Sequence, residues 1–360
     1  MEIGIVGLPN VGKSTLFNAL TSGHAPSSNY PFTTIEPNVG IVSVPDPRLK
    51  RLAELFKPEK VTPATIRFVD IAGLVKGASE GAGLGNKFLA HIREVDAIVQ
   101  VVRLFEDPEV VHTMGSVDPA RDVEVIETEL ILADLQSLDK QFDKTSKDAK
   151  SGDKEAQTRI EILKKVQKTL NEGKSARMSG YSSEDLKPFS LLTSKPILFL
   201  GNEDEGKIGQ DHGHVGAFKK VAAERNAKWL AICGKLESEI VQIADDAEKR
   251  TFREELGLKE TGLEKLIRES YQLLDLITFL TAGPTEVRGW TVPRGSSAVE
   301  AAGKIHTDIC KGFIKVAIYK FSDIDVLRSE KAVEEKGLKR SEGRDYCVAD
   351  GDVCYFHFRG

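Results

Sequence analysis

The sequence predicts an α/β nucleotide-binding domain of the P-loop type. It should carry a mostly parallel sheet, an inserted antiparallel helical hairpin, and a small mixed sheet at the C-terminal end that grips one helix. Three observations predict this. Short apolar runs of four to seven residues alternate with helical patterns over residues 1–116. A glycine-rich phosphate loop lies between the first strand and the first helix. A long stripe of apolar residues at spacings of three and four then interrupts the alternation.

The 360 residues suit two or three domains. With 40% hydrophobic and 29% charged residues, the chain can bury real cores. A formal charge of -5 gives no global nucleic-acid signal, although a local basic face could still bind one. The N-terminus runs directly into a strand and no apolar run is long enough for a bilayer, so a cytoplasmic protein without membrane partners is expected. Cys233, Cys310, Cys347 and Cys354 show no C-x-x-C spacing and read as reduced thiols.

The element order follows from the pattern. Ile3–Val6, Val39–Val44, Ile66–Asp70 and Ala97–Arg103 read as strands, with helices over Lys13–Leu20, Asp46–Phe56 and Leu84–Val95. Such alternation implies right-handed crossovers and ligands at the strand ends. Asp118-Pro119 is a cap followed by proline at the first helical position, and it opens the helical stripe. Ser151-Gly152 breaks that stripe, and Ile160, Leu163, Val166 and Leu170 resume it. The sheet returns at Pro196–Gly201 and Lys228–Ile232. The boundaries expected are therefore 1–117 with 195–275 for the nucleotide domain, 118–194 for the insertion, and 276–360 for the last domain. In that last domain Ile277–Leu280, Val287–Val292, Ile314–Ile318 and Val353–Phe358 read as strands, and Ser296–Lys311 as one helix.

Gly7–Ser14 matches G-x-x-x-x-G-K-[ST] in the required strand–loop–helix setting. Glycines permit the turn, and the N–H groups of Asn10, Val11, Gly12, Lys13, Ser14 and Thr15 can surround phosphates at a helix N-terminus. Lys13 can reach the outer phosphates, and the Ser14 hydroxyl can bind Mg²⁺. Asp70-Ile71-Ala72-Gly73 ends a strand. Asp70 can hold Mg²⁺ through water, and the Gly73 N–H can meet the terminal phosphate. Between these motifs, Thr34 (or Thr33) can place a hydroxyl on Mg²⁺.

Asn202-Glu203-Asp204-Glu205 follows a strand where guanine-selective relatives of this domain carry N-K-x-D. Here the lysine position is Glu203 and the acidic position is the longer Glu205, so a strict guanine code is absent. Cys233, Gly234 and Lys235 follow the next strand and should form the last base-side loop. Leu74 stands where many GTPases place a water-orienting glutamine, so hydrolysis should be slow or use another group. Asp211-His212-Gly213-His214 lacks partners at metal-ligand spacing and reads as a solvated loop.

Taken together, these segments resemble the Obg-like ATPases, the YchF branch of the translation-factor GTPases. The resemblance covers essentially the whole chain. It rests on Gly7–Thr15, the YPFTTIEPN segment Tyr30–Asn38, the DIAGL segment Asp70–Leu74 with the glycine-rich Val75–Gly85, the helical insertion, and Asn202–Glu205. The tail segments Thr281–Arg288 and Ala301–Gly312 look like a TGS domain of the β-grasp fold. The resemblance implies a preference for ATP over GTP, association with ribosomes, and a monomeric or weakly associating cytoplasmic protein. It departs from the family at Glu203, where an apolar residue is usual. It also suggests His112 as the group that positions the attacking water. In potassium-activated relatives an asparagine at the Asn10 position helps hold K⁺. Arg288, Lys304, His306, Lys311 and Lys315 could meet ribosomal RNA phosphates. Three readings stay open at this level: a slow ATPase switch, a GTPase of the same architecture, and a ribosome- or RNA-binding module with nucleotide as a structural ligand.

Overall fold

The computed structural model describes residues 1–23, 39–72, 83–150 and 153–359. The chain runs β1 (Glu2–Gly7), α1 (Lys13–Gly23), β2 (Val39–Ser43), α2 (Pro47–Phe56), β3 (Lys60–Thr62), β4 (Thr65–Asp70), α3 (Gly83–Glu94), β5 (Ala97–Arg103), α4 (Pro119–Lys150), α5 (Lys154–Asn171) and α6 (Ser183–Leu186). It continues with β6 (Ile197–Asn202), α7 (Gly213–Glu224), β7 (Lys228–Ile232), α8 (Gly234–Gln242), α9 (Asp246–Glu255), α10 (Gly262–Leu273), β8 (Leu276–Ala282) and β9 (Glu286–Pro293). The last elements are α11 (Ala298–Ile305), α12 (Thr307–Lys311), β10 (Phe313–Lys320), α13 (Phe321–Leu327), α14 (Glu330–Glu335), β11 (Arg340–Glu342) and β12 (Asp352–Phe358).

The first sheet has the order β2-β4-β1-β5-β6-β7. β1 pairs in parallel with β4 on one side and β5 on the other, and β5–β6 and β6–β7 are also parallel. β5 and β6 are buried at every position, as strands covered on both faces must be, and this is why their sequences are nearly continuous apolar runs. The order turns around β1, so the crevice at its C-terminal end is a switch point suited to a ligand. Gly7 ends β1 there and leads into the P-loop.

The insertion is a helical pair. Asp153 caps α5, its carboxylate accepting from the Glu155 and Ala156 N–H groups. Gln167 Nε2 donates to Asp139 Oδ1 at 3.0 Å, and these residues are equidistant from Asp153, so the helices run antiparallel. Leu138, Leu163, Val166 and Leu170 bury the seam together with Phe189 and Leu191. At its base Asp134, fully buried, accepts from the Leu192 and Thr193 N–H groups, both at 2.8 Å, and from Thr193 Oγ1 at 2.6 Å.

Backbone contacts divide the chain into two units. Met1–Gly23 and Arg67–Leu266 belong to one, and Ile41–Ile66 with Ile267–Gly360 to the other. The second unit holds the sheet β11-β10-β12-β8-β9-β3. Its outermost strand, β3, is supplied from residues 60–62 and pairs in parallel with β9. α2 joins the same unit. Leu49 and Leu52 pack with Leu280, Val287, Tyr319, Ile324, Val333 and Val353, and Arg48 Nη1 reaches Asp350 at 2.7 Å. The other sheet face buries Ala298, Ala301 and Ala302 of α11.

One expectation is corrected here. Ser296–Lys311 is two helices, not one. His306 between them is extended (φ -162°, ψ 146°) and its ring caps α12, accepting from the Asp308 N–H. A cap inside an alanine-rich stripe looks like another helical residue until the chain turns. β3, β11, α13 and α14 also escape periodicity, because they are short or weakly patterned. At Gly312, an added Cβ would collide with the Arg359 carbonyl. We expect Gly312→Ala to cost about 1–3 kcal/mol by overpacking against backbone. A urea midpoint equal to that of the parent would refute this.

Candidate functional site

The P-loop is set by backbone conformation. Asn10 (φ 63°) and Gly12 (φ 88°) both occupy the left-handed region, which turns successive N–H groups inward before α1 begins at Lys13. Val11 is buried and anchors the loop. Ser14 and Thr15 lie exposed in the first turn. Lys13 Nζ forms an ion pair with Asp70 Oδ1. The P-loop cation and the strand-end carboxylate are thus brought together from residues 57 apart.

A cleft of about 630 Å³ opens beside this loop. Asn10, Gly12 and Thr15 line its P-loop end, and Asn202–Gly206 with Cys233 and Lys235 line the other. Phe105, Glu106, Asp107 and Val110 form a further wall. The sequence-predicted loops are therefore assembled around one cavity, of a size that suits a nucleotide.

Several predicted residues also make contacts within the protein. Asn202 commits both ends of its amide to protein. Nδ2 donates to the Val11 carbonyl at 3.0 Å, and Oδ1 accepts from the Gly234 N–H at 2.9 Å. It braces the P-loop against the start of α8. Glu203 is buried; its N–H donates to the Ile232 carbonyl and its carboxylate lies 3.7 Å from His212. Burial pushes the Glu203 carboxyl above its usual range, outweighing the N–H of Gly209 and the nearby His212. Glu205 is half exposed and lies 3.8 Å from Lys235 Nζ. Cys233 caps α8 through its sulfur, and burial raises its thiol pKa. Gly234 meets the cleft only through its bond to Asn202.

His112 is buried against α4. Its Nε2 is 2.8 Å from Asp122 Oδ2, and its Nδ1 accepts from the Met114 N–H at 3.0 Å. That pattern places the ring proton on Nε2. Both nitrogens are engaged, and His112 is not among the cleft-lining residues. In this conformation it anchors its loop rather than facing a substrate. Asn10, expected as a K⁺ ligand, donates its Nδ2 to the Val111 carbonyl at 3.1 Å. His214 bonds Glu106 at 3.0 Å. Among the described residues, no group of three or more His, Cys, Asp or Glu could hold a metal. Thr33, Thr34, Gly73 and Leu74 lie outside the described residues.

Folds of this kind generally act with Mg²⁺. The donors present fit it: the exposed Ser14 hydroxyl and the Asp70 carboxylate are both hard oxygen ligands, and Asp70 already faces the P-loop through Lys13.

Sequence reading missed Arg103. It ends the buried strand β5, is only 2% exposed, and organises the cleft wall. A charged residue closing an otherwise apolar strand was the available signal.

Comparison with known proteins places the chain in a family. A family described as "50S ribosome-binding GTPase" matches residues 2–165, and one described as "Protein of unknown function (DUF933)", YchF-GTPase_C, matches residues 276–359. The "Ribosome-binding ATPase YchF" of Bacillus subtilis is 49% identical, and that of Haemophilus influenzae 48%, each covering 99% of both chains. The structure of the Schizosaccharomyces pombe YchF GTPase superposes with a TM-score of 0.89 at 35% identity, covering 99% of this chain and 97% of that one. Two curated relatives at nearly half identity and a solved fold that superposes end to end leave one assignment: the chain belongs to the YchF family.

Proposed function

We propose that this protein is a ribosome-associated switch that binds ATP with Mg²⁺ and hydrolyses it slowly to ADP and phosphate. The observation that carries the reading is the single cleft joining the P-loop to Asn202–Gly206. The names of its relatives, ribosome-binding ATPases, supply the partner. Backbone N–H groups of the P-loop and the Lys13 ammonium would bind and orient the polyphosphate. Ser14, Asp70 and Thr34 would hold Mg²⁺, which neutralises charge on the phosphates when bound. K⁺ at Asn10 would have to use the amide oxygen, because Nδ2 serves Val111.

Slow turnover suits the absence of a glutamine at Leu74. His112 could orient water only after releasing Asp122, so it would act in a state that a partner or nucleotide brings about. The same contacts suggest how the switch is wired. Asn10 of the P-loop holds Val111, and the next residue, His112, holds Asp122 in the first turn of α4. A shift of the P-loop would therefore reach the helical pair. Three modules would share the work: 1–117 with 195–275, the helical pair 118–194, and 276–360, which takes 41–66 as a structural part. The working protein would be a cytoplasmic monomer, and the helical pair and C-terminal unit would meet ribosomal RNA.

A second reading, GTP as substrate, is favoured by the half-exposed Glu205 carboxylate, since guanine offers two donors to such an acceptor. Parallel calorimetric titrations of ATP and GTP decide between them; tighter GTP would remove the ATPase assignment and leave the P-loop argument intact. Ribosome co-sedimentation with ATP, with ADP and without nucleotide tests the switch. We expect Lys13→Ala to abolish the difference between these conditions. A Lys13→Ala protein with the parent's nucleotide response would leave only a binding module.

A further inference from the structure

The cleft wall Phe105–Val110 has no regular secondary structure, yet one buried side chain holds it along its length. Arg103 Nε donates to the Phe105 carbonyl at 3.0 Å, Nη1 to the Val110 carbonyl at 2.8 Å, and Nη2 to the Asp107 carbonyl at 3.2 Å. The guanidinium carbon also lies 4.3 Å from the centre of the Phe105 ring. Among the described residues no carboxylate is paired with Arg103. The charge is balanced by three carbonyl dipoles and a ring face, an arrangement that only a planar, multidentate cation can satisfy. Three of the five guanidinium N–H groups are engaged, one on each nitrogen, and burying a charge at this cost is hard to account for by packing of β5 alone, which an apolar residue would serve more simply.

The wall is also continuous with the two other anchors of its segment. Beyond Val110, Asn10 holds the Val111 carbonyl and Asp122 holds His112. Arg103 fixes the part that faces the cavity, where Phe105, Asp107 and Val110 are lining residues.

We propose that Arg103 is a positioning residue for nucleotide binding and turnover: its guanidinium fork sets the shape of the 105–110 wall against which the nucleoside portion of the substrate rests. This rests on the reading of the cleft as a nucleoside triphosphate site. The P-loop conformation is set by Asn10 and Gly12 and braced by Asn202, without Arg103, so the effect of Arg103 falls first on the nucleoside end.

The test uses the full-length protein carrying Arg103→Lys, which keeps the charge and loses the fork. Steady-state ATP hydrolysis is measured alongside calorimetric binding of ATP and of inorganic triphosphate, each with Mg²⁺. The expected result is a KM for ATP raised about tenfold and a kcat lowered by about the same factor, as a displaced positioning element produces. Triphosphate affinity should stay within roughly twofold of the parent. Parent-like ATP kinetics in Arg103→Lys would show that charge suffices and would overturn the proposal. Equal losses for ATP and triphosphate would mean general loosening of the site, and would overturn it too. Pro108→Gly, at an exposed position of the same wall, gives an independent route that spares the buried strand end. It should raise the ATP KM without moving triphosphate binding, and an unchanged KM would count against the proposal even if Arg103→Lys failed to fold. If the parent protein binds triphosphate but not ATP or GTP, the cleft reading itself fails, separately from the role of Arg103.

Discussion

Replacing Gly12 with alanine is expected to remove nucleotide binding and to destabilise the first unit by about 2–5 kcal/mol. Two effects add. Gly12 has φ 88°, where an L side chain is strained. The new Cβ would also collide with the Asn202 side-chain amide. That amide cannot simply rotate away, because it bonds Val11 and Gly234 at once. Moving it frees a P-loop carbonyl and the first N–H of α8 together. The double variant Gly12→Ala/Asn202→Ala should therefore be less damaged than the two single effects summed, since the collision disappears. Thermal melts and ATP titrations of the four proteins check this. Strict additivity, or a Gly12→Ala protein that binds ATP as the parent does, would show that Asn202 does not brace the loop.

At the base of the helical pair, Asp134→Ala is expected to cost about 2–5 kcal/mol, because it leaves three buried donors without their acceptor. Its carboxylate is the acceptor for Leu192 N–H, Thr193 N–H and Thr193 Oγ1, and no water can replace it at a fully buried position. The Thr193 hydroxyl in turn accepts from the Ala176 N–H at 3.0 Å, so the loss spreads to the turn after α5. Burial raises the Asp134 pKa despite these donors. The folded state then holds its proton more tightly than the unfolded state, whose aspartate titrates near ~3.9. Between that value and the raised folded one, this group contributes a stability that falls as pH rises. The contribution should vanish in Asp134→Ala. Denaturant unfolding of both proteins across mildly acid pH measures it, and parallel stability curves would contradict the assignment.

Much of the first unit was legible along the chain. Ala97–Arg103 is a strand at the expected residues, because a strand buried on both faces must be nearly continuously apolar; Lys228–Ile232 is a strand at the expected residues too, although only Ile232 is buried there. The P-loop was legible because glycine, lysine and serine at that spacing each answer a local demand. The helical pair was legible because a period of three to four residues is a local property, and Ser151-Gly152 is a local break. The same locality explains the errors. The His306 cap lies inside an apolar stripe, and β3 is three residues whose partner, β9, lies more than two hundred residues on.

The sequence by itself therefore determined the P-loop, the order of the elements and the cleft's two motif-bearing ends, since these depend on what neighbours along the chain can form. Only the tertiary structure decided what the site residues do. It made the cleft-lining Asn202 a brace between loops, set His112 against Asp122, drew residues 41–66 into the second unit, and gave Arg103 its three carbonyl partners in the cleft wall. Each of these rests on a hydrogen bond or packing contact between residues brought together by the fold. A polar side chain's partner is chosen by what lies within about 3 Å of it after folding, and spacing along the chain does not record that distance.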